Sequence, residues 1–545
     1  MRVVPPTIQK HIARRRGRWL TGIGICGDRR GFRLKKKVVL LLASGLVAVL
    51  APCRAFPADP APAVDPSPAT EPRWAPPDPW ATFVYETPAP VFRLRLAIEQ
   101  LSMTALSFAG YTIWDPPPAS PNIPATTIWE KLTFAPNSWY LDADALATNF
   151  GGHPAAGTFY YMFARSNRVS IPEAFLWTVG TSTLWEFLEF KEPASINDVI
   201  VTPVAGLAIG EAFTQLSGWF DRYGAKGLSK ALAWIFNPMK KFHDWLDKVE
   251  PLRDPAMRGW HEFRVGTAGV IIWQGGGVYP GLEFDLVTRL FRVPGYGDEG
   301  KAGFGFTDGN VSAIGLTATM AHGRSVDFLF DTQTALLGHY SRDLRRDGEH
   351  LSGWDLFVGG TAGFEFGSHV WDIAGNGPKN QIAVVRMPGI DARVRLFAGE
   401  MEVDCSMDLA FDFGGVEPLA NPTPGSLPPG QVLPPVDTIQ GYYYAVGLHL
   451  VPALEVRYGP AALGASFHTD LLWGLTGPFV PRPEGQVISL TDSRTNARAW
   501  LRFRLQEPGL EFAVGGIFRD RRGTAGSQET RRQDRSLFAS FAVVF

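Results

Sequence analysis

The chain has 545 residues, 45% of them hydrophobic and 19% charged, with a net charge of −1. That length is too great for one compact domain. Loss of a leader over residues 1–55 would leave 39 basic and 52 acidic residues, a net charge near −13, which excludes nucleic acid as a partner. Of three cysteines only Cys405 lies clearly beyond that leader, so neither a disulfide framework nor a zinc–cysteine site can be built.

The first 55 residues read as an export signal. Arg29 to Lys37 is basic, Val38 to Leu50 is an apolar run of signal-peptide length, and Cys53-Arg-Ala55 offers small residues for cleavage after Ala55. Residues 56–92 are rich in Pro, Ala and Asp. Such a stretch cannot bury a core and is expected to be an extended tether.

From 93 to 250 the pattern is helical. Helices are predicted over Arg93 to Tyr111, Ala143 to Asn167, Pro172 to Phe190 and Ile196 to Tyr223. Pro172 and Pro193 sit at or just before helix starts, where a missing N–H is harmless. A further amphipathic helix, Ala225 to Val249, would wet Lys240, Lys241, Asp244, Asp247 and Lys248. No stretch after the leader holds 18 consecutive apolar residues.

After Pro251 the period becomes two. Met401, Val403, Cys405, Met407, Leu409, Phe411 and Phe413 form an apolar stripe, opposite Glu400, Glu402, Asp404, Ser406, Asp408 and Asp412. The last strand ends on Leu537, Ala539, Phe541, Val543 and Phe545, an alternating apolar face closed by a terminal aromatic. An apolar face toward lipid and a polar face toward a lumen define a transmembrane barrel. About twelve strands are expected over 258–545, with Ile373 to Pro388 and Val416 to Asp437 as long outer loops. Phe545 would be read by the barrel-assembly machinery. Tyr442-Tyr-Tyr444, Trp473 and Trp500 suit interfacial girdles.

Turn arithmetic predicts lumen charge pairs. With Ala398-Gly399 as a two-residue turn, Arg395 faces Glu402 and Arg393 faces Asp404; around Glu507-Pro508, Arg504 faces Glu511. Each such pair adds roughly 0.2–1 kcal/mol.

The most distinctive residues lie between Trp139 and Glu211: Asp142, Asp144, Asn149, His153-Pro154, Gly157, Tyr160-Tyr161, Ala164-Arg165, Trp185-Glu186, Glu189, Pro193, Ser195-Ile196, Asp198, Thr202-Pro203, Gly206 and Gly210-Glu211. Their combination resembles DUF3943, a domain of unknown function found in exported bacterial proteins, over roughly 120 residues. The resemblance implies an envelope location and an architecture with a downstream barrel, and no activity.

These helices are very apolar yet carry charge. Glu186 and Glu189 share a helix face, and Gly206 with Gly210 lets another helix approach closely. His153, Glu186, Glu189 and Asp198 are therefore the catalytic candidates, and Asn149, His153, Tyr161, Arg165, Glu186 and Asp198 the ligand-binding ones. The plainer alternative is a buried polar network in which Arg165 neutralises a Glu. No HExxH or GxSxG is present, and neither a cofactor nor a metal is expected. His322, His339, His449 and His468 fall in or beside strands, most simply as lumen-lining side chains.

The expectation is an α+β membrane protein of the Gram-negative outer membrane. A helical module would sit at the periplasmic mouth or plug the lumen of an antiparallel barrel in contact with outer-membrane lipids. Its role would be solute or lipid binding or passage, or a structural one; the alternative is an envelope-lipid hydrolase or acyl transferase using His153.

Overall fold

The computed structural model describes residues 90–544 apart from 115–125, 191, 224–226, 250–259, 294–295, 307–310, 349, 376, 378, 423–426, 477–484 and 506–508. The predicted leader, all but the last residues of the tether, and Phe545 lie outside the described residues.

The helical region holds α1 (Arg93–Trp114), α2 (Ile128–Leu132), α3 (His153–Ser166), α4 (Ile171–Leu188), α5 (Ile196–Tyr223), α6 (Leu228–Phe236) and α7 (Pro238–Asp247). A π-turn, Thr148–Gly152, leads into α3, and short strands β1 (Trp139–Tyr140) and β2 (Ala194–Ser195) pair in parallel. Ser170 caps α4 by accepting from the Glu173 N–H, with Pro172 in its first turn. The single helix expected over Ala225 to Val249 is two helices. Asn237 ends α6, and its side chain accepts from the Lys240 N–H to start α7 at Pro238. Lys241 and Asp244, expected on a wet face, are buried and ion-paired with Asp221 and Arg168.

The barrel strands are β3 (Trp260–Gln274), β4 (Gly277–Phe291), β6 (Val311–Ala321), β7 (Arg324–Asp347), β8 (His350–Val370), β9 (Lys379–Gly399), β10 (Met401–Val416), β12 (Tyr443–Tyr458), β13 (Ala461–Gly474), β15 (Leu490–Leu505), β16 (Leu510–Ala525) and β17 (Gln528–Val544). Each pairs antiparallel with the next, and β17 pairs with β3, so twelve strands close into a cylinder. A short β5 (Gly300–Phe306) extends the sheet beside the lower half of β7. The remaining strands, β11 (Gln431–Val432) and β14 (Gln486–Val487), join two loops, and α8 (Pro435–Gln440) lies in the first of them. Residues 379–388 are strand, not the predicted loop; β9 passes through Pro388 at a β-bulge, where a missing N–H is tolerated.

Alternation decides the two faces. Leu282, Leu454, Leu463, Leu501, Phe512 and Leu537 are exposed on the outer wall, and Asp412, Asp470, Glu511 and Asp534 are buried within. This is the arrangement of a transmembrane barrel. Trp473 is exposed outside, whereas Trp500, expected in a girdle, points inward and donates to Glu455 at 2.9 Å.

Side chains bridge the lumen, and apolar and aromatic groups pack at both of its ends. Arg519 reaches Asp327 (2.9 Å), His369 reaches Asp534 (2.7 Å) and Arg494 reaches Glu365 (3.2 Å), each across a pair of strands with four others between them. At the end bearing the long loops, Ile382, Val384, Tyr443 and Leu472 from the wall pack with Leu433 and Ile488 from the loops. At the opposite end the segment after β4 folds inward, packing Tyr296 against Phe291, Tyr340 and Arg395.

The helical module neither plugs this lumen nor caps a mouth; α5 runs along the outer wall. Its first half packs Val201, Val204 and Ala205 with Phe364, Ala383, Val385 and Tyr444, outward-facing residues toward the long-loop end. Its second half packs Leu216, Trp219 and Phe220 with Phe263, Leu290 and Ile314 toward the other end. The physical reason is complementarity: the lumen offers charges, while the outer wall offers the apolar surface these helices need. α5 is also long and apolar enough to cross a membrane over Ile196–Asp221. α3 crosses it where Gly157 and Gly206 meet; a Cβ on Gly157 would lie 1.9 Å from the Thr202 carbonyl oxygen. Away from the barrel, Leu94, Leu101, Ile113, Phe159 and Leu176 are exposed on α1, α3 and α4.

Candidate functional site

At the long-loop end, the module and the wall meet in a buried polar cluster centred on Asp142. Its Oδ1 accepts from Asn149 Nδ2 (2.6 Å) and Tyr444 Oη (3.1 Å), and its Oδ2 from Ser195 Oγ (2.8 Å) and Asn197 Nδ2 (3.2 Å). Asn149 Nδ2 also lies 2.9 Å from Tyr442 Oη and 2.7 Å from Tyr444 Oη, and Tyr442 Oη donates to the Asp144 carbonyl oxygen at 2.8 Å.

Three backbone features hold these groups. The π-turn at 148–152 swings Asn149 inward toward the barrel and leaves Gly151 and Gly152 exposed. The β1–β2 pairing places Ser195 beside Asp142. The start of α5 then presents Asn197 and Asp198, with Asn197 Nδ2 donating to Asp198 Oδ1 at 2.9 Å.

His153 Nε2 lies 3.4 Å from Asp198 Oδ2, and its ring is one-fifth exposed, forming the open side of the cluster. Glu186 is wholly buried, and its Oε2 accepts the Ser195 N–H at 2.6 Å. Glu189 shares no hydrogen bond with these groups; Lys131 Nζ donates to the carbonyl oxygens of Glu186 (2.5 Å) and Glu189 (2.6 Å). Asp144 is held near neutrality, its carboxyl raised to about 7 by burial, then by the charges of Asp142 and Glu192.

The six ligand-binding candidates divide. Asn149, His153, Glu186 and Asp198 join this cluster. Tyr161 and Arg165 lie further along the bundle, where Tyr161 Oη and Arg165 Nε both donate to the buried Glu211 at 2.8 Å. Gln215 joins Glu211 to Arg292 of the barrel.

The lumen charges form a different register from the predicted one. The β9–β10 turn is Gly399-Glu400, because Gly399, at φ +67°, takes the first turn position, where positive φ favours glycine. Asp404 therefore faces Arg395, and Ser406 faces Arg393. Arg393 still reaches Asp404 diagonally at 3.5 Å, Arg395 binds Asp355, and Glu402 binds Arg457 at 3.0 Å. Arg504 lies opposite Glu511, yet Arg504 pairs with Glu262 and Glu511 with Arg264.

Sequence reasoning missed the barrel's share of the cluster. Tyr442 and Tyr444, expected at a lipid interface, meet Asn149 of the module instead. Their shared face was legible from period two, but the helices covering that face were not. Among the described residues, one trio has His and Asp ligand atoms within 4.8 Å of one another: His449, His468 and Asp470, inside the lumen. Arg386 (3.9 Å) and Arg494 (3.4 Å) already neutralise Asp470 there.

Fold and site thus define a closed twelve-stranded antiparallel barrel with a helical module on its outer wall and a His/carboxylate cluster at the seam. Residues 138–239, which contain the cluster's helical side, match the family described as "Domain of unknown function (DUF3943)". No curated protein matches the chain. Among solved structures, it is similar to the outer membrane protein OmpT of Vibrio cholerae (8% identity, 52% of this chain and 99% of that one, TM-score 0.18). It is similar also to the beta domain of the Bordetella autotransporter BrkA (12%, 53% and 100%, 0.21) and to the translocator domain of the autotransporter NalP from Neisseria meningitidis (11%, 52% and 88%, 0.20). At such scores the barrel assignment rests on the closed strand order itself.

Proposed function

We propose that this chain is an outer-membrane protein whose barrel is a closed scaffold and whose helical module, embedded in lipid beside it, binds a lipid at the His153 cluster. The observation that carries this reading is the position of the cluster. It is a polar site with His153 on its open side, at one end of a bundle whose free faces are apolar. An amphiphile has that same division between head and tail. The bridges across the lumen count against passage of a solute.

The test is native mass spectrometry of protein purified from membranes in mild detergent. Wild type is expected to carry a bound lipid that His153→Ala and Asp198→Asn lose while the barrel still shows heat-modifiable mobility. A lipid-free wild type would sink the reading.

The His153–Asp198 pair at 3.4 Å favours a second reading, an envelope-lipid enzyme in which Asp198 orients His153 as a base. It requires that His153→Ala change the cell's lipid profile.

A further inference from the structure

We infer that the cluster is built to receive a primary ammonium group, carried by the headgroup of the lipid it binds; this rests on the lipid-binding reading above. Four carboxylates, Asp142, Asp144, Glu186 and Asp198, share the site. The basic side chains beside them are His153 and Lys131, whose Nζ donates to the carbonyl oxygens of Glu186 and Glu189.

Two further observations point the same way, independently of the acidity. Glu186 is wholly buried, and its Oε1 has no hydrogen-bond partner. Asn149 is likewise wholly buried, and its carbonyl Oδ1 is unpartnered while its amide nitrogen serves Asp142 and both tyrosines. Turning the amide over would set a carbonyl against the Asp142 carboxylate, so the orphan cannot be removed that way. The Asn149 orphan is an acceptor, and so is Glu186 Oε1 whenever that carboxyl is ionised. A buried acceptor left empty is destabilising, and a ligand rich in N–H donors relieves that cost.

An ammonium fits this deficit better than a metal ion. It supplies three donors and a positive charge and tolerates acceptors spread around it. A divalent ion needs ligand atoms drawn together, and the carboxylates here do not form a group within 4.8 Å as His449, His468 and Asp470 do. Asp142 is also already saturated by Asn149, Ser195, Asn197 and Tyr444.

The experiment uses the full-length mature protein in nanodiscs containing phosphatidylethanolamine, its N-trimethylated counterpart phosphatidylcholine, or phosphatidylglycerol. Bound lipid is counted by native mass spectrometry, with free ethanolamine and magnesium chloride added as separate arms. Wild type is expected to retain phosphatidylethanolamine roughly tenfold better than phosphatidylcholine, the worth of about one charge-assisted hydrogen bond. Free ethanolamine should compete only weakly. Glu186→Gln and Asn149→Leu should erase the preference. If either fails to assemble, Asp144→Asn, at the accessible edge, should lower it.

Equal retention of all three lipids overturns the ammonium while leaving the lipid site intact. Retention of none overturns both. Protection by magnesium alone would replace the ammonium with a metal ion, and full competition by ethanolamine would show a free amine to be the ligand.

Discussion

Asn149 and Tyr444, 295 residues apart in the chain, are joined by a 2.7 Å hydrogen bond between the helical module and the barrel wall. Tyr444 in turn donates to Asp142, so the barrel contributes directly to the cluster rather than merely flanking it. Tyr444→Phe is expected to leave a buried acceptor and donor short of a partner, at about 1–3 kcal/mol. A double-mutant cycle with Asn149→Ala, read by urea unfolding in detergent, should return a non-additive term; strict additivity would mean that the contact contributes nothing.

The crossing of α3 and α5 depends on two absent side chains. A Cβ on Gly206 would lie 2.5 Å from the Gly157 carbonyl oxygen. Gly157→Leu or Gly206→Leu should detach the module's packing while the barrel persists. The readout is protease cleavage within 138–239 of a protein whose barrel still migrates as folded. Unchanged protection would contradict the close approach.

The lumen is bridged by its own wall, so the helices play no part in closing it. Purified protein in planar bilayers should not conduct, and deleting residues 93–250 should not make it conduct. Removing the bridges with Asp327→Ala, Asp534→Ala and Glu365→Ala together should admit ions. Conductance that appears on deletion of the helices alone would place them in the lumen after all.

Asp144 lies in the coil before the π-turn, outside the helices and strands. Its folded-state carboxyl is raised to about 7, above the ordinary aspartate value, so the folded protein holds the proton more tightly than the unfolded chain. The associated stability is full below about pH 4 and is lost as pH rises through about 7. Asp144→Asn should accordingly show a thermal midpoint that gains on wild type between those limits. A difference that stays constant with pH would contradict the shift.

Leu101 and Leu176 test the surroundings of the module. Both are exposed on helix faces turned away from the barrel. Spin labels at Leu101→Cys and Leu176→Cys should collide with oxygen dissolved in lipid and be shielded from a water-soluble nickel chelate. The opposite pattern would put those faces in water.

Much of the fold was legible in the sequence because backbone geometry is local. A strand turns every second side chain to the same side. The apolar stripe from Met401 to Phe413, the acidic stripe between and the closing strand from Leu537 to Val543 therefore told which residues face the lumen. Helix α5 was bounded at Ile196 and Tyr223 by its capping and its apolar length alone. What local periodicity cannot report is the neighbour. An apolar residue that faces lipid and one that faces a helix obey the same alternation, so Phe364, Val385 and Tyr444 gave no sign of the bundle that covers them. The β9–β10 register likewise turned on a single positive φ at Gly399. The sequence by itself determined the two building blocks and the alternation of apolar and polar side chains along the strands. Only the tertiary structure decided that the blocks lie side by side, because burial against a partner depends on which surface is free, and no residue carries that information alone.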